Sequence, residues 1–350
     1  MGSDLLKEGG PHNIKRVGPS KYNMTVKLPT DEGGLTGREC PSPDCSPAYF
    51  KVKPGTGITS GQAHTLCPYC GHKGDPSDFH TKAQIQYAKD ILTREATDGI
   101  ERELKNALGI GPSGIRKIGG GFLSLEISLK PGSKPPIRRP YEEVLRRDLV
   151  CAHCGLVHSV FGIATWCPDC GADIFLEHVR KEYDVVKLIL ADVDNRAERL
   201  GARVAARDVE NALEDTLSIF EAVLRAVTKR KLLLSKPSEE VDQIMNKNIG
   251  NRYQSVTLAS GLALEYLGVT LFESLTDEER SLLSRTFEKR HPITHNLGVV
   301  DRKYLERVQS GELEGREIRV SAEEVTQAAE FSLRVISNVH ATVFPITQSE

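Results

Sequence analysis

The stretch FEKRHPITHNLGVVDRKY, Phe287 to Tyr304, gathers Arg290, His291, His295, Asn296 and Asp301 beside a helix-breaking proline. Imidazoles titrate near neutrality and pass protons in either direction. A guanidinium presents several donors in a rigid fork that fits a phosphate. Set close together, these groups suit acid–base chemistry on a charged substrate. A plainer reading has Arg290 meeting the last carbonyls of a helix, where a cation is favoured, and His295 donating to a buried carbonyl. Spacing alone does not choose between them, since an arginine followed five residues later by a histidine arises readily by chance.

The second chemical set is the cysteines. All eight fall into two clusters: Cys40, Cys45, Cys67 and Cys70 in CPSPDC and CPYCG, then Cys151, Cys154, Cys167 and Cys170 in CAHCG and CPDCG. Paired Cys-x(2–4)-Cys turns with a short insert place four sulfurs around one tetrahedral ion. Gly71, Gly155 and Gly171 each follow a second cysteine, where the turn needs left-handed backbone. Disulfides need an oxidising compartment, and the opening MGSDLLKEGGPHN lacks the basic and apolar segments of a secretory signal. A redox Cys-x-x-Cys pair does not explain four turns arranged two by two. Two structural Zn2+ ions are therefore expected, each with four protein ligands and no open position, and no catalytic metal. His64, His72 and His153 lie nearby and read as surface histidines. Both clusters resemble zinc ribbons, a group that includes nucleic-acid readers, protein readers and plain scaffold.

The segments around these residues are of two textures. The fold class expected is α+β, with short strands, one helix and two four-Cys ribbons in the N-terminal half and an all-α bundle in the C-terminal half. The segments are a Gly/Pro-rich arm (1–36), ribbon one (37–80), a helix plus basic strand region (81–147), ribbon two (148–174) and a helical bundle (175–346). In the first helix, Ile85, Ala88, Ile91 and Leu92 recur at helical spacing. From Arg116 to Arg147 there are eight basic and three acidic residues around a strand-like FLSLEISL. Such a strip suits a phosphate backbone, and equally a solvated hairpin. The chain carries 46 Lys+Arg against 48 Asp+Glu, so any polyanion-binding surface must be local. No apolar run reaches membrane-spanning length. A cytoplasmic protein without a membrane partner is expected.

In the C-terminal half, Val209, Leu213, Leu217, Phe220, Leu224 and Val227 step by four and three, one apolar stripe on a long helix. Thr276 with Glu279, and Ser321 with Glu324, form capping boxes that open two further helices. The last of these faces a core with Val325, Ala329, Leu333 and Ile336. Pro292 predicts a kink just after Arg290. On an unbroken helix, positions five apart diverge by about 140°, so that kink is what would let Arg290 and His295 converge.

Taken whole, RHPITHNLGVVDRKYL at the end of a capped helix in a helical bundle resembles the HEPN superfamily over residues 175–346. Arg290, His291 and His295 match its Arg, the polar residue after it, and its His. The resemblance implies a homodimer whose two motifs meet in one composite site, and a metal-independent endoribonuclease leaving 2′,3′-cyclic phosphate ends. His295 is then the proton-transfer group, Arg290 the phosphate clamp and His291 an orienting neighbour, while Asn296 and Asp301 fix the local turn. The partners implied are an RNA substrate and an antitoxin or defence protein, in the manner of toxins and antiviral effectors. Many domains of this group are silent, so the second expectation is a zinc-ribbon nucleic-acid- or protein-binding adaptor dimerised by an inert bundle. In that case binding depends on Arg138 and Arg139.

Overall fold

The strands that lead into the cysteine turns set the architecture of the N-terminal part. In the computed structural model, the described residues are 6–19, 21–46, 48–111, 114–120, 124–130, 132–140, 143–144, 147–308 and 311–345. The chain divides into two units: one runs up to Gly162 and includes Trp166–Ala172, the other comprises Ile163–Thr165 and everything from Asp173 onward.

In the first unit, β1 (Lys15–Gly18) and β2 (Lys21–Asn23) form an antiparallel hairpin inside the Gly/Pro-rich arm. The central sheet uses β3 (Thr36–Glu39), β4 (Tyr49–Val52), β9 (Arg147–Val150) and β10 (Val157–Val160), in the order β3-β4-β10-β9 with antiparallel neighbours. Lys51 pairs with Ser159 and Phe50 with Val160, so each cysteine module contributes two adjacent strands and the modules share one sheet. Strand periodicity puts Phe50 and Val160 inside, where Phe79 meets Phe50 edge-on at 6.1 Å between ring centroids. Two-stranded pairings β5 (Thr65–Leu66) with β6 (Lys73–Gly74), and β7 (Ile115–Ile118) with β8 (Leu125–Ser128), complete the strands among the described residues. Part of FLSLEISL, at 122–123, lies outside the described residues.

The helix expected here is α1 (Lys82–Leu108), opened by a capping box of Thr81 and Gln84 and closed by Gly109 in the left-handed conformation. Its apolar stripe is not a core stripe. Ile91 is buried, but Ile85 and Leu92 are exposed. Polar contacts tether the helix instead: buried Gln84 donates through Nε2 to the Gly37 carbonyl at 2.8 Å, and Asp90 accepts from Arg138.

The second unit, among the described residues, is helical. Its elements are α2 (Phe175–Ala191), α3 (Val193–Leu200), α4 (Ala202–Leu233), α5 (Ser238–Gln243), a π-helical turn at Ile244–Ile249 and a 3-10 turn at Arg252–Gln254. Then come α6 (Val256–Leu267), α7 (Asp277–Glu288), α8 (Arg290–His295), α9 (Arg302–Arg307) and α10 (Ala322–Val343). The predicted α4 stripe is buried throughout, with Phe220 stacked on Phe272 and edge-on to Phe287. Each fully buried side chain of this kind contributes about 1.5–3 kcal/mol. Both capping boxes form, and Glu279 of the first also accepts two bonds from Arg334, tying α7 to α10. No helix is long and apolar enough to cross a membrane among the described residues.

Candidate metal centres and candidate active site

Three of the four cysteine turns in the first unit are built alike. Gly71, Gly155 and Gly171 have φ near +70° and donate to the carbonyls of Cys67, Cys151 and Cys167 at 3.0, 2.8 and 3.0 Å. The N–H groups of Cys67, Cys151 and Cys167 return bonds to His72, Leu156 and Ala172. The longer Cys40–Cys45 turn closes through Cys45 N–H to the Ser42 carbonyl. Within each cluster all four sulfurs lie within 4.8 Å of one another. Cys40–Cys70 and Cys151–Cys170 are 3.7 Å apart, and Cys45–Cys67 and Cys154–Cys167 are 3.6 Å apart. A disulfide needs about 2.05 Å. A tetrahedron of sulfurs at about 2.3 Å from a central metal has edges of about 3.8 Å. The two clusters are thus compatible with two structural metal ions.

The electrostatics fit the same donor set. Burial pushes the Cys45 thiol up to about 12 and Cys154 up to about 11. The thiol of Cys67 donates to Cys70 and pulls it down to about 5. Cys170 is lowered despite burial, by the Ala172 N–H and Cys167. Cys70 and Cys170 are thus the most readily ionised thiols of their clusters, and full ionisation calls for a cation to offset burial and mutual repulsion. Cys67 and Cys167 are buried while Cys70 and Cys170 are exposed, the same pattern in both clusters.

In the second unit the active-site candidates separate into two groups. Lys289 interrupts the path from α7 to α8, and its buried ammonium binds Glu324 and the Arg319 carbonyl. The break therefore falls one residue before Arg290, not after it. Pro292 sits in the first turn of α8, where its missing N–H costs little, so the helix runs unbroken from Arg290 to His295. The convergence of those two side chains expected from a kink does not occur. Arg290, half-buried, donates through Nη1 to Oε1 of Gln254 at 3.2 Å, and Gln254 Nε2 donates to Glu221 at 2.7 Å. His295 is exposed and stands instead beside His291, one helical turn away, with ring centroids 5.2 Å apart.

Asp301 and Asn296 hold the turn after α8, as read from the sequence. Asp301 Oδ1 caps α9 by accepting from Tyr304 N–H at 2.8 Å, and its Oδ2 lies 4.0 Å from His291 Nε2. Asn296 Nδ2 donates to the Val299 carbonyl. Leu297 adopts φ of +51° and is 82% exposed, a strained turn at the tip. The His291 imidazole is held below its ordinary value, first by desolvation and then by the Arg307 charge, against the pull of Asp301. The shift favours the neutral imidazole. Gln254 and Glu221, which hold Arg290, are invisible to motif reading because both belong to other elements.

The basic strip of the first unit is partly spoken for. Arg138 bonds Asp90 of α1 through its backbone N–H and its guanidinium, at 3.1 and 3.2 Å, while Arg139 is exposed. Comparison with known proteins places the chain in no group: no family model matches it, and no curated protein or solved structure matches it either.

Proposed function

We propose that the helical unit is an endoribonuclease, and that the ions held by the two cysteine clusters are Zn2+. The observation that carries the first reading is the pair His291 and His295, in ring contact at 5.2 Å, with the Asp301 carboxylate beside one imidazole and a guanidinium on the same short helix. Phosphodiester transesterification requires one group that takes a proton and one that gives a proton, and two adjacent imidazoles can fill those roles. Neutral His291 takes the 2′-hydroxyl proton as that oxygen bonds to phosphorus. His295 gives its proton to the 5′-oxygen as the P–O bond breaks. The products are a 2′,3′-cyclic phosphate and a 5′-hydroxyl, and atoms and charge balance without a redox partner. Arg290 offsets the charge of the pentavalent phosphate.

Arg290 diverges from His295 within one chain, which favours a site completed in a homodimer by a second copy's guanidinium. Mixing Arg290→Ala and His295→Ala chains tests this directly. If each site takes Arg290 from one copy and His295 from the other, the mixed dimer regains one intact site. Activity stays at the level of the single variants if the site lies within a single chain. Cleavage of mixed RNAs that persists in both variants, or its absence from the folded wild-type chain, ends the nuclease reading. If the cutting serves as a toxin or defence effector, expression of the wild-type chain slows growth and His295→Ala does not.

Zinc follows from the donor chemistry, since four thiolates in a closed tetrahedron suit Zn2+ or iron among available metals. Elemental analysis giving two zinc per chain, with a colourless protein, is the expected result, and iron content with visible absorption the contrary one.

A further inference from the structure

A cavity of about 430 Å3 lies between the start of α6, the outer face of α7 and the end of α9. Arg280, Arg285 and Arg307 line it, with the hydroxyls of Thr257, Ser281 and Ser284 between them. Asp277 is the one acid in the lining. Neither Arg280 nor Arg285 has a carboxylate partner among the described residues: Arg280 lies over the Phe272 ring at 5.5 Å, and Arg285 donates to Ser281 Oγ at 2.9 Å. Arg307 forms a 3.5 Å ion pair with Glu288. Two guanidinia without a carboxylate partner and a third held by one 3.5 Å ion pair, in a concavity that also presents hydroxyls, form a seat for an anion with several acceptor oxygens.

The cavity adjoins the candidate active site by two routes. Gln254, which holds Arg290, is two residues before Val256 of the cavity wall. Arg307, on the far wall, is close enough to His291 to depress its protonation. The cavity is thus linked to Arg290 through Gln254 and to His291 through Arg307. The first turn of α6, which no side chain caps, adds backbone donors to the same wall.

We propose that this cavity seats a phosphate of the RNA strand flanking the scissile linkage, so that Arg280, Arg285 and Arg307 act as substrate-binding residues of the helical unit. The choice of RNA as ligand rests on the nuclease reading. The basic cavity, not the residues of α8, then supplies most of the salt-dependent affinity.

The test uses the full chain and a fluorescent twelve-nucleotide single-stranded RNA with 2′-O-methyl riboses, which binds but cannot be cut. Anisotropy is read across a salt series. Arg280→Ala with Arg285→Ala is expected to raise Kd about tenfold or more, and to lower the slope of log K against log salt by about 1.4, the share of two phosphate contacts on a single strand. Arg302→Ala, on exposed α9 and paired to Glu306 at 3.2 Å, is expected to leave both unchanged. His295→Ala is expected to bind like the wild type while losing cleavage of ordinary RNA. The proposal is overturned if the double variant, folded by circular dichroism, keeps Kd within twofold and an unchanged slope, if Arg302→Ala loses as much, or if the wild-type chain shows no salt-dependent binding. Should His295→Ala cut normally while the double variant loses binding, the nuclease assignment falls and the RNA seat stands.

Discussion

Leu66 and Trp166 occupy equivalent places before the two Cys-Pro-x-Cys-Gly turns, and each donates its backbone N–H to the proline carbonyl of the other turn. The bonds are Leu66 N to Pro168 O at 2.9 Å and Trp166 N to Pro68 O at 3.1 Å. The side chains repeat the exchange: the Gly71 face meets Trp166 and the Gly171 face meets Leu66. With β4 paired to β10 at the middle of the sheet, the two cysteine modules form an internal pseudo-twofold pair. One module therefore buttresses the other.

It follows that the metal centres should be lost together. In Cys167→Ser, native mass spectrometry is expected to show fewer than one ion per chain rather than one, because structural metal binding is coupled to folding of the site. Retention of a single ion at the Cys40–Cys70 cluster would show that the halves fold independently. Strong chelators should abolish the first unit's near-UV dichroism cooperatively.

His291→Ala and His295→Ala should each lower RNA cleavage about 10²–10⁴-fold, the usual contribution of one proton-transfer group. Quantified product ends by gel and mass spectrometry provide the check. A loss below fivefold in either variant would mean that imidazole is a bystander.

Gln254→Ala removes the acceptor that fixes Arg290 and leaves Glu221 without its amide donor. Cleavage should fall about tenfold, chiefly in kcat, in keeping with one hydrogen bond to a charged group. Gln254→Glu, which keeps an acceptor for the guanidinium but sets a second carboxylate against Glu221, should recover only part of it. Steady-state rates for the three proteins separate a positioning role from one in binding.

Arg307 helps to keep the His291 imidazole neutral, after desolvation. Arg307→Ala should therefore raise the His291 pKa, and the acidic limb of the pH–rate profile should move to higher pH, since a base must be unprotonated to act. A profile that keeps its acidic limb in place would exclude His291 as the base.

Asp173 accepts from Arg230 at 2.8 Å and from Phe175 N–H at 3.0 Å, with His340 Nε2 at 3.4 Å stacked on the Phe175 ring. Burial opposes its ionisation, yet His340, the Phe175 N–H and Arg230 bring the carboxyl down to about 2. A depressed folded pKa means that its stabilisation is present above the ordinary carboxylate range near 4 and is lost as pH falls toward 2. Asp173→Asn should cost about 1–3 kcal/mol at neutral pH and flatten the acid limb of a thermal-stability series between those values. An unchanged limb would assign the acid sensitivity elsewhere.

Features whose cause lies within one or two turns of chain were legible in the residues alone. The α4 stripe, the Thr276 and Ser321 capping boxes, the glycines of the cysteine turns and the Asp301 cap all depend on spacings of two to four residues, and periodicity exposes them. The α1 spacing revealed the helix but not what anchors it, since Gln84 and Asp90 are polar and their partners Gly37 and Arg138 lie 47 and 48 residues away. Proline was read as a breaker after Arg290, although a proline within the first turn of a new helix breaks nothing.

The amino-acid order was enough to name eight cysteines placed to hold metal, their grouping in fours, and a helical half that gathers an arginine, two histidines and an aspartate near its end, because side-chain chemistry and short spacing are local properties. It was not enough to join β4 to β10, to set Leu66 against Pro168, or to turn Arg290 toward Gln254 and His291 toward His295. Those arrangements join residues far apart in the chain, or depend on which face of α8 the packed bundle leaves open. Only the folded chain, trading backbone entropy against long-range contacts, selects them.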